Sequence, residues 1–169
     1  MALGYNRLAE QTMSIELAIP GRDTLHFDHL VLDVNGTLAL DGQLIDGVRR
    51  QLSELRDRLT IHLLTADTFG RQAEIDQALN LTAIRLRPGG EPQQKADYVM
   101  SLNPARVVSI GQGANDAAML RAAGLGIAVV SPEGLAAASL TASDVVAPSI
   151  TAALDLLLHP MRLVATLRE

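Results

Sequence analysis

The sequence predicts an α/β fold: a doubly wound, Rossmann-like, mostly parallel sheet with helices on both faces. Three observations predict it. Short, near-continuous aliphatic runs recur along the chain, the mark of strands buried on both faces. Stretches of helical period separate them, as right-handed crossovers between parallel strands require. Only 2% of the 169 residues are aromatic while 48% are apolar, so the core must be built from Leu, Ile, Val and Ala. The length suits a single domain at roughly 150 residues per domain.

Residues 1–28 read as an N-terminal extension. Its first dozen residues look loosely ordered or like an appended start. Ser14 to Ile19 (SIELAI) alternates apolar and polar residues, ends at Pro20-Gly21 and turns into Thr24–Phe27, which predicts an edge strand or hairpin. The core domain spans 29–169. Its strands are expected at Leu30–Leu32, Leu59–Leu64, Thr82–Leu86, Val107–Ile110, Gly126–Val130 and Val145–Val146. Helices are expected at Asp46–Arg58, Gly70–Leu81, Pro92–Leu102, Asn115–Ala123, Pro132–Leu140 and Ile150–Leu167, with Asp46, Pro92 and Pro132 at helix starts.

Composition excludes several functions. The net charge of −5, the scarcity of aromatics and the lack of any basic tract longer than Arg49-Arg50 argue against nucleic acid or a membrane as partner. The chain has no cysteine, which removes disulfides, thiol catalysis and thiolate metal sites. No apolar run approaches the ~18 residues of a membrane helix, and MALGYNRLAEQT lacks the layout of a signal peptide. A cytoplasmic protein is expected.

In a doubly wound sheet, ligands bind beyond the carboxyl ends of the strands, where strand order reverses. Three strand ends carry polar text: Asp33-Val34-Asn35-Gly36-Thr37, Thr65-Ala66-Asp67-Thr68 and Gly111-Gln112-Gly113-Ala114-Asn115-Asp116. A carboxylate ending a buried strand is costly unless paired, metal-bound or solvated, so Asp33 is a candidate; equally, Asp33 could open a turn that Gly36 completes. Thr65 could hold a phosphoryl oxygen, or simply end a strand, with a helix cap at Thr68. Asp116 could pair with Asp33 to bind a hard divalent cation such as Mg2+, or complement a helix dipole. Lys95 is the only lysine among 14 Lys and Arg residues; it could neutralise the two carboxylates, or be solvated.

In this order, the three segments and Lys95 resemble the haloacid dehalogenase-like (HAD) superfamily. Its pattern is a strand ending D-x-D-G-T, a second strand ending in Thr or Ser, a Lys on a later helix and a G-D-G-x-N-D loop. LLTADTFG, GQGANDAAMLRAAGLGIAV and ASDVV are most similar to the phosphorylation domain of P-type ATPases. The likeness runs from about His29 to Leu167. It implies Asp33 as a nucleophile that forms an aspartyl phosphate, with Asn35, Thr65 and Lys95 completing the catalytic set. Thr65, Lys95 and the amides around Gly36 and Ala66 would hold the phosphoryl oxygens. Mg2+ would be held by Asp33, the Asn35 carbonyl, Gln112 and Asp116, with Thr37 and Asn115 in support.

Two departures from that pattern bear on activity. Asn35 stands where phosphatases of the family carry the acid–base Asp, and an amide cannot exchange a proton, help worth ~10²–10⁴-fold. Gln112 stands where the acidic loop begins with a metal-binding Asp. The short segments 38–64 and 66–94 leave no room for a cap domain, so an open site and a homo-oligomer are expected. The implied function is a slow or specialised Mg2+-dependent phosphatase acting on a phosphorylated substrate, small or macromolecular. The alternative is a binding or regulatory module on the same fold; a receiver-type phospho-acceptor fits poorly, because its acidic pair lies on the first strand.

Overall fold

The computed structural model describes residues 14–67 and 70–169; the reading of the first dozen residues and the Thr68 cap lie outside them. The strand β3 (His29–Asp33) is an inner strand of a six-stranded sheet. From β3 the chain passes a small hairpin, β4 (Ala39–Leu40) and β5 (Gln43–Leu44), then helix α1 (Val48–Leu55) and β6 (Thr60–Thr65). Helix α2 (Gln72–Leu79) leads to the edge strand β7 (Ile84–Arg85). The chain then returns through α3 (Glu91–Ser101) to β8 (Val107–Gly111) on the other side of β3, and continues as α4 (Ala117–Ala122), β9 (Leu125–Val129), α5 (Ala137–Ala142) and β10 (Val145–Ala147). Two helices close the chain, α6 (Ile150–Leu158) and α7 (Pro160–Leu167).

The order across the sheet is β10, β9, β8, β3, β6, β7, and every pairing is parallel. Strand order therefore reverses at β3, between its neighbours β6 and β8. Register puts Asp33 opposite Leu64 and Leu32 opposite Ile110. Asp33, Thr65 and Gly111 thus end adjacent strands at one edge of the sheet, the place where this topology opens a crevice.

Side-chain alternation assigns the two faces. Leu30 and Leu32, Ile61 and Leu63, and Val108 and Ile110 enter one large aliphatic layer with residues of α1, α2, α6 and α7. Val31, Leu64 and Val107 face the opposite way and pack with Val99 of α3 and Met119 of α4. Ser149 caps α6 by accepting from the Ala152 amide at 3.1 Å. No cap domain interrupts the described residues: 38–64 hold only the β4–β5 hairpin, α1 and most of β6.

Several expected elements differ in form. The N-terminal segment is a hairpin, β1 (Ile15–Leu17) paired antiparallel with β2 (Leu25–Phe27), separate from the main sheet. Ile15, Leu17 and Phe27 belong to the aliphatic layer. The Asp28 amide after the hairpin bonds to the Arg106 carbonyl at 2.9 Å, just before β8 begins. The hairpin thus joins the core at the amino ends of the strands, away from the Asp33 end of the same chain. The helix expected over Pro132–Leu140 begins only at Ala137, because 131–134 form a turn in which Gly134 takes φ +94°. The helix expected over Ile150–Leu167 bends by 100° at Pro160, whose ring removes a hydrogen bond from any continuous helix. Among the described residues no single helix is long and apolar enough to cross a membrane.

Candidate active site

Asp33 ends β3 with its side chain on the α3 face of the sheet, by the same alternation that turns Val31 that way. Lys95 reaches it from α3. The Lys95 ammonium donates to Asp33 Oδ1 and Asp116 Oδ1, each at 2.6 Å, and all three groups are buried. The second oxygen of Asp33 accepts from Thr37 Oγ1 at 2.9 Å. The second oxygen of Asp116 accepts from the Gln112 and Gly113 amides, each at 3.0 Å. Asp116 can fold back over its own loop only because position 111 is Gly: a Cβ there would lie 2.6 Å from the Asp116 side chain.

Electrostatics follow from burial. Loss of water raises the Asp33 carboxyl well above the usual carboxylate range, and the Asp116 charge adds to this against the pull of Lys95 and Thr37. Burial also works against the Lys95 charge, but the two carboxylates outweigh it and raise the Lys95 pKa. Two carboxylates against one ammonium leave the cluster open to a further positive charge.

Thr65, also buried, accepts two hydrogen bonds through Oγ1, from the Asp67 amide at 2.9 Å and from Asn35 Nδ2 at 3.2 Å. A hydroxyl has two acceptor positions and one proton. With both acceptor positions filled, the Thr65 proton is left to donate to an incoming oxygen. Asn35 is thereby tied to Thr65, and exposed Ala66 follows at the mouth.

Gly36 acts differently from the expectation. Its amide donates to the Ala39 carbonyl at 2.7 Å, so it is committed within the turn and not offered to a phosphoryl oxygen. What Gly36 supplies is clearance: it has φ +78°, and a Cβ would lie 2.3 Å from both Gln112 Nε2 and Glu133 Oε2. Asn115, expected to brace the loop, is exposed and makes no side-chain hydrogen bond among the described residues. Gly113 is braced instead by Ser139, whose Oγ donates to its carbonyl at 2.5 Å, and Gln112 by the Ala136 amide, which donates to its carbonyl at 3.0 Å.

Sequence reasoning missed Ser139 and Glu133. Glu133 accepts from Gln112 Nε2 at 3.3 Å; an acidic residue just beyond the end of β9 was the signal that could have found it. A mainly apolar hollow of about 300 Å³ also borders Thr37, walled by Leu40, Ile45, Val130, Pro132 and Ile150.

A divalent cation fits the donor chemistry: excess negative charge and hard oxygen atoms from carboxylates, the Asn35 carbonyl and the Gln112 amide. Among the described residues no three His, Cys, Asp or Glu side chains form a metal cage alone, so carbonyl and amide oxygens would complete it.

No family model matches the chain. Over 64 residues it is 44% identical to an uncharacterised protein of Methanocaldococcus jannaschii, covering 38% of this chain and 69% of that one. A structure from Streptomyces avermitilis described as a HAD family hydrolase superposes with TM-score 0.61 at 20% identity, over 77% of this chain and 82% of that one. The 3-deoxy-D-manno-octulosonate 8-phosphate phosphatase of Moraxella catarrhalis, solved with magnesium and phosphate ions, gives TM-score 0.61 at 19% identity, over 84% and 94%. A zinc-transporting P-type ATPase in its E2·Pi state gives TM-score 0.59 at 26% identity, over 73% of this chain and 20% of that one. In fold, the chain matches solved structures of HAD hydrolases and the corresponding part of a P-type ATPase.

Proposed function

We propose that the protein is a Mg2+-dependent phosphohydrolase that works through an aspartyl phosphate on Asp33. The observation that carries this reading is the buried Asp33–Lys95–Asp116 contact at the reversal point of the sheet. In the first step an Asp33 oxygen forms a bond to phosphorus as the ester oxygen departs with the electron pair of the P–O bond. Lys95 and the free Thr65 proton take up charge on the phosphoryl oxygens. Bound Mg2+, held by Asp33, Asp116 and the Asn35 and Gln112 oxygens, would supply further charge neutralisation. Water then attacks phosphorus, the bond between phosphorus and the Asp33 oxygen breaks to restore the carboxylate, and the water's proton leaves on the phosphate or to bulk solvent.

Asn35 slows both halves. Its amide can neither transfer a proton to the leaving oxygen nor take one from water, and its Nδ2 donates to Thr65. A good leaving group bypasses the first defect but not the second, so the phosphoenzyme accumulates. The substrate is phosphorylated, and with no cap above the cleft a large substrate or a second copy of the chain can approach it; the apolar hollow beside Thr37 suits the part of a substrate that carries no charge. A cytoplasmic homo-oligomer fits this reading.

The test is incubation of the protein with Mg2+ and an activated aryl or acyl phosphate, followed by intact-mass measurement. A phosphoryl adduct is expected, absent in Asp33→Asn. Asn35→Asp is expected to raise steady-state hydrolysis by up to ~10²–10⁴-fold. If neither the wild type nor folded Asn35→Asp shows adduct or turnover, Asp33 is no nucleophile, and the regulatory-module reading replaces this one.

A further inference from the structure

The family pattern places an acidic residue at position 112, and this chain has an amide. Three observations show what accompanies that change. Gln112 Nε2 lies 3.3 Å from Glu133 Oε2. The segment that carries Glu133 holds Gln112 a second time, through the Ala136 amide and the Gln112 carbonyl at 3.0 Å. The Gln112–Glu133 pair also lies directly over Gly36, where any Cβ would meet both side chains at 2.3 Å, beside the loop that continues from Asp33.

Glu133 is placed by a tight turn and not by chance exposure. Its amide donates to Ser131 Oγ at 3.1 Å, and the Gly134 amide donates to the Ser131 carbonyl at 2.8 Å. Gly134 takes φ +94° to close that turn.

We propose that Glu133 is a positioning residue of the metal site, carrying from the loop after β9 the negative charge that position 112 lacks and orienting the Gln112 amide as an oxygen ligand. The inference rests on the Mg2+ site of the proposed function. A carboxylate accepts hydrogen bonds and never donates. Glu133 therefore fixes the planar amide of Gln112 with its NH2 outward to the carboxylate. The carbonyl branch of the same amide is left as the donor atom for a cation, and no described residue donates to it. Partners of this kind, one bond removed from the metal, commonly matter 10–100-fold in affinity. The pair also accounts for the amide itself. A carboxylate at 112 would face Glu133 across little more than 3 Å, and two like charges at that range repel.

The experiment is Mg2+ titration calorimetry on the whole protein, with Mn2+ electron paramagnetic resonance as a second readout that needs no turnover. Glu133→Gln keeps an acceptor for Gln112 and removes only the charge; Glu133→Ala removes both. Weaker Mg2+ binding is expected in both, by roughly 10–100-fold in Glu133→Ala and less in Glu133→Gln, with the melting temperature in chelator unchanged because the side chain is exposed. In a Gln112→Asp background, where position 112 carries its own charge, Glu133→Gln should weaken Mg2+ binding less than it does in the wild type. If Glu133→Ala binds Mg2+ like the wild type while Asp116→Asn loses it, the metal site stands and the role of Glu133 is overturned. If the wild type itself binds no Mg2+ at millimolar concentration, the Mg2+ reading of the site fails and this inference falls with it.

Discussion

The two faces of the sheet are made of opposite materials. On the face covered by α1, α2, α6 and α7, the layer is aliphatic throughout, with Phe27 its one aromatic member. Each fully buried Leu or Ile there contributes on the order of 1.5–3 kcal/mol of burial. On the face covered by α3 and α4, the apolar cluster is small, and the same strands present His29, Asp33, His62 and Ser109. Lys95, buried on α3, and Asp116 add two more charges to that side. The difference shows a division of labour. One face stabilises the domain, and that surplus lets the other hold desolvated charges that no small apolar cluster could support alone.

Removing the charge balance should produce the largest effect. Lys95→Met leaves two buried carboxylates without a cation, a change that typically costs about 3–5 kcal/mol, and it removes the group proposed to stabilise the phosphoryl charge. Urea unfolding should show the loss, and the phosphoryl adduct should disappear. The cost arises from unpaired charge and not from lost packing. Lys95→Met with Asp116→Asn should therefore be less destabilised than Lys95→Met alone, a departure from additivity that a double-mutant cycle reads directly. Simple addition of the two losses would show that the Lys95 charge and Asp116 are not coupled.

A substitution on the other face sharpens the contrast. Ile110 directly precedes Gly111 and the loop of the proposed metal site, yet its side chain lies wholly in the aliphatic layer. Ile110→Val should cost about 0.5–1.5 kcal/mol in urea unfolding and leave Mg2+ affinity and adduct formation unchanged. A change in Mg2+ affinity would mean that the two faces are coupled through β8.

The same division explains what could be read from the sequence. Strands buried on both faces are near-continuous aliphatic runs, so all six strands of the main sheet fall where those runs lie; Asp33 stands out because charge is rare in such text, Lys95 because it is the only lysine, and Asp116 because it closes a Gly-rich loop. The rest was hidden by local signals that tertiary contacts override. Pro132 reads as a helix start, but Gly134 and the Ser131 hydroxyl make a turn there, and that turn is what brings Glu133 to Gln112. The β4–β5 hairpin has strands of two residues each, too short for any period. Asn115 looked like a brace by its place in the motif, whereas the bracing comes from Ser139, distant in sequence and anonymous in an Ala-rich helix.

The smallest effect concerns the polar face away from the site. His29 Nδ1 and His62 Nε2 lie 3.1 Å apart, and His62 Nδ1 meets the Tyr98 hydroxyl at 2.8 Å, across β3, β6 and α3. Burial lowers the His62 pKa to about 4, with His29 adding to the shift. The unfolded chain takes up this proton near pH 6.5 and the folded chain only near 4, so between those values the unfolded state binds more protons. Stability must then rise with pH across that window and fall as pH drops through it. The slope stays well under about 1.4 kcal/mol per pH unit, because the ring is only half-buried and solvent screens it. Urea midpoints of the wild type and His62→Phe at pH 7 and pH 5 measure it. The wild type should lose more stability than the variant on going to pH 5. Equal losses would mean that His62 titrates normally, and that this end of the polar face is wetter than the Asp33 end.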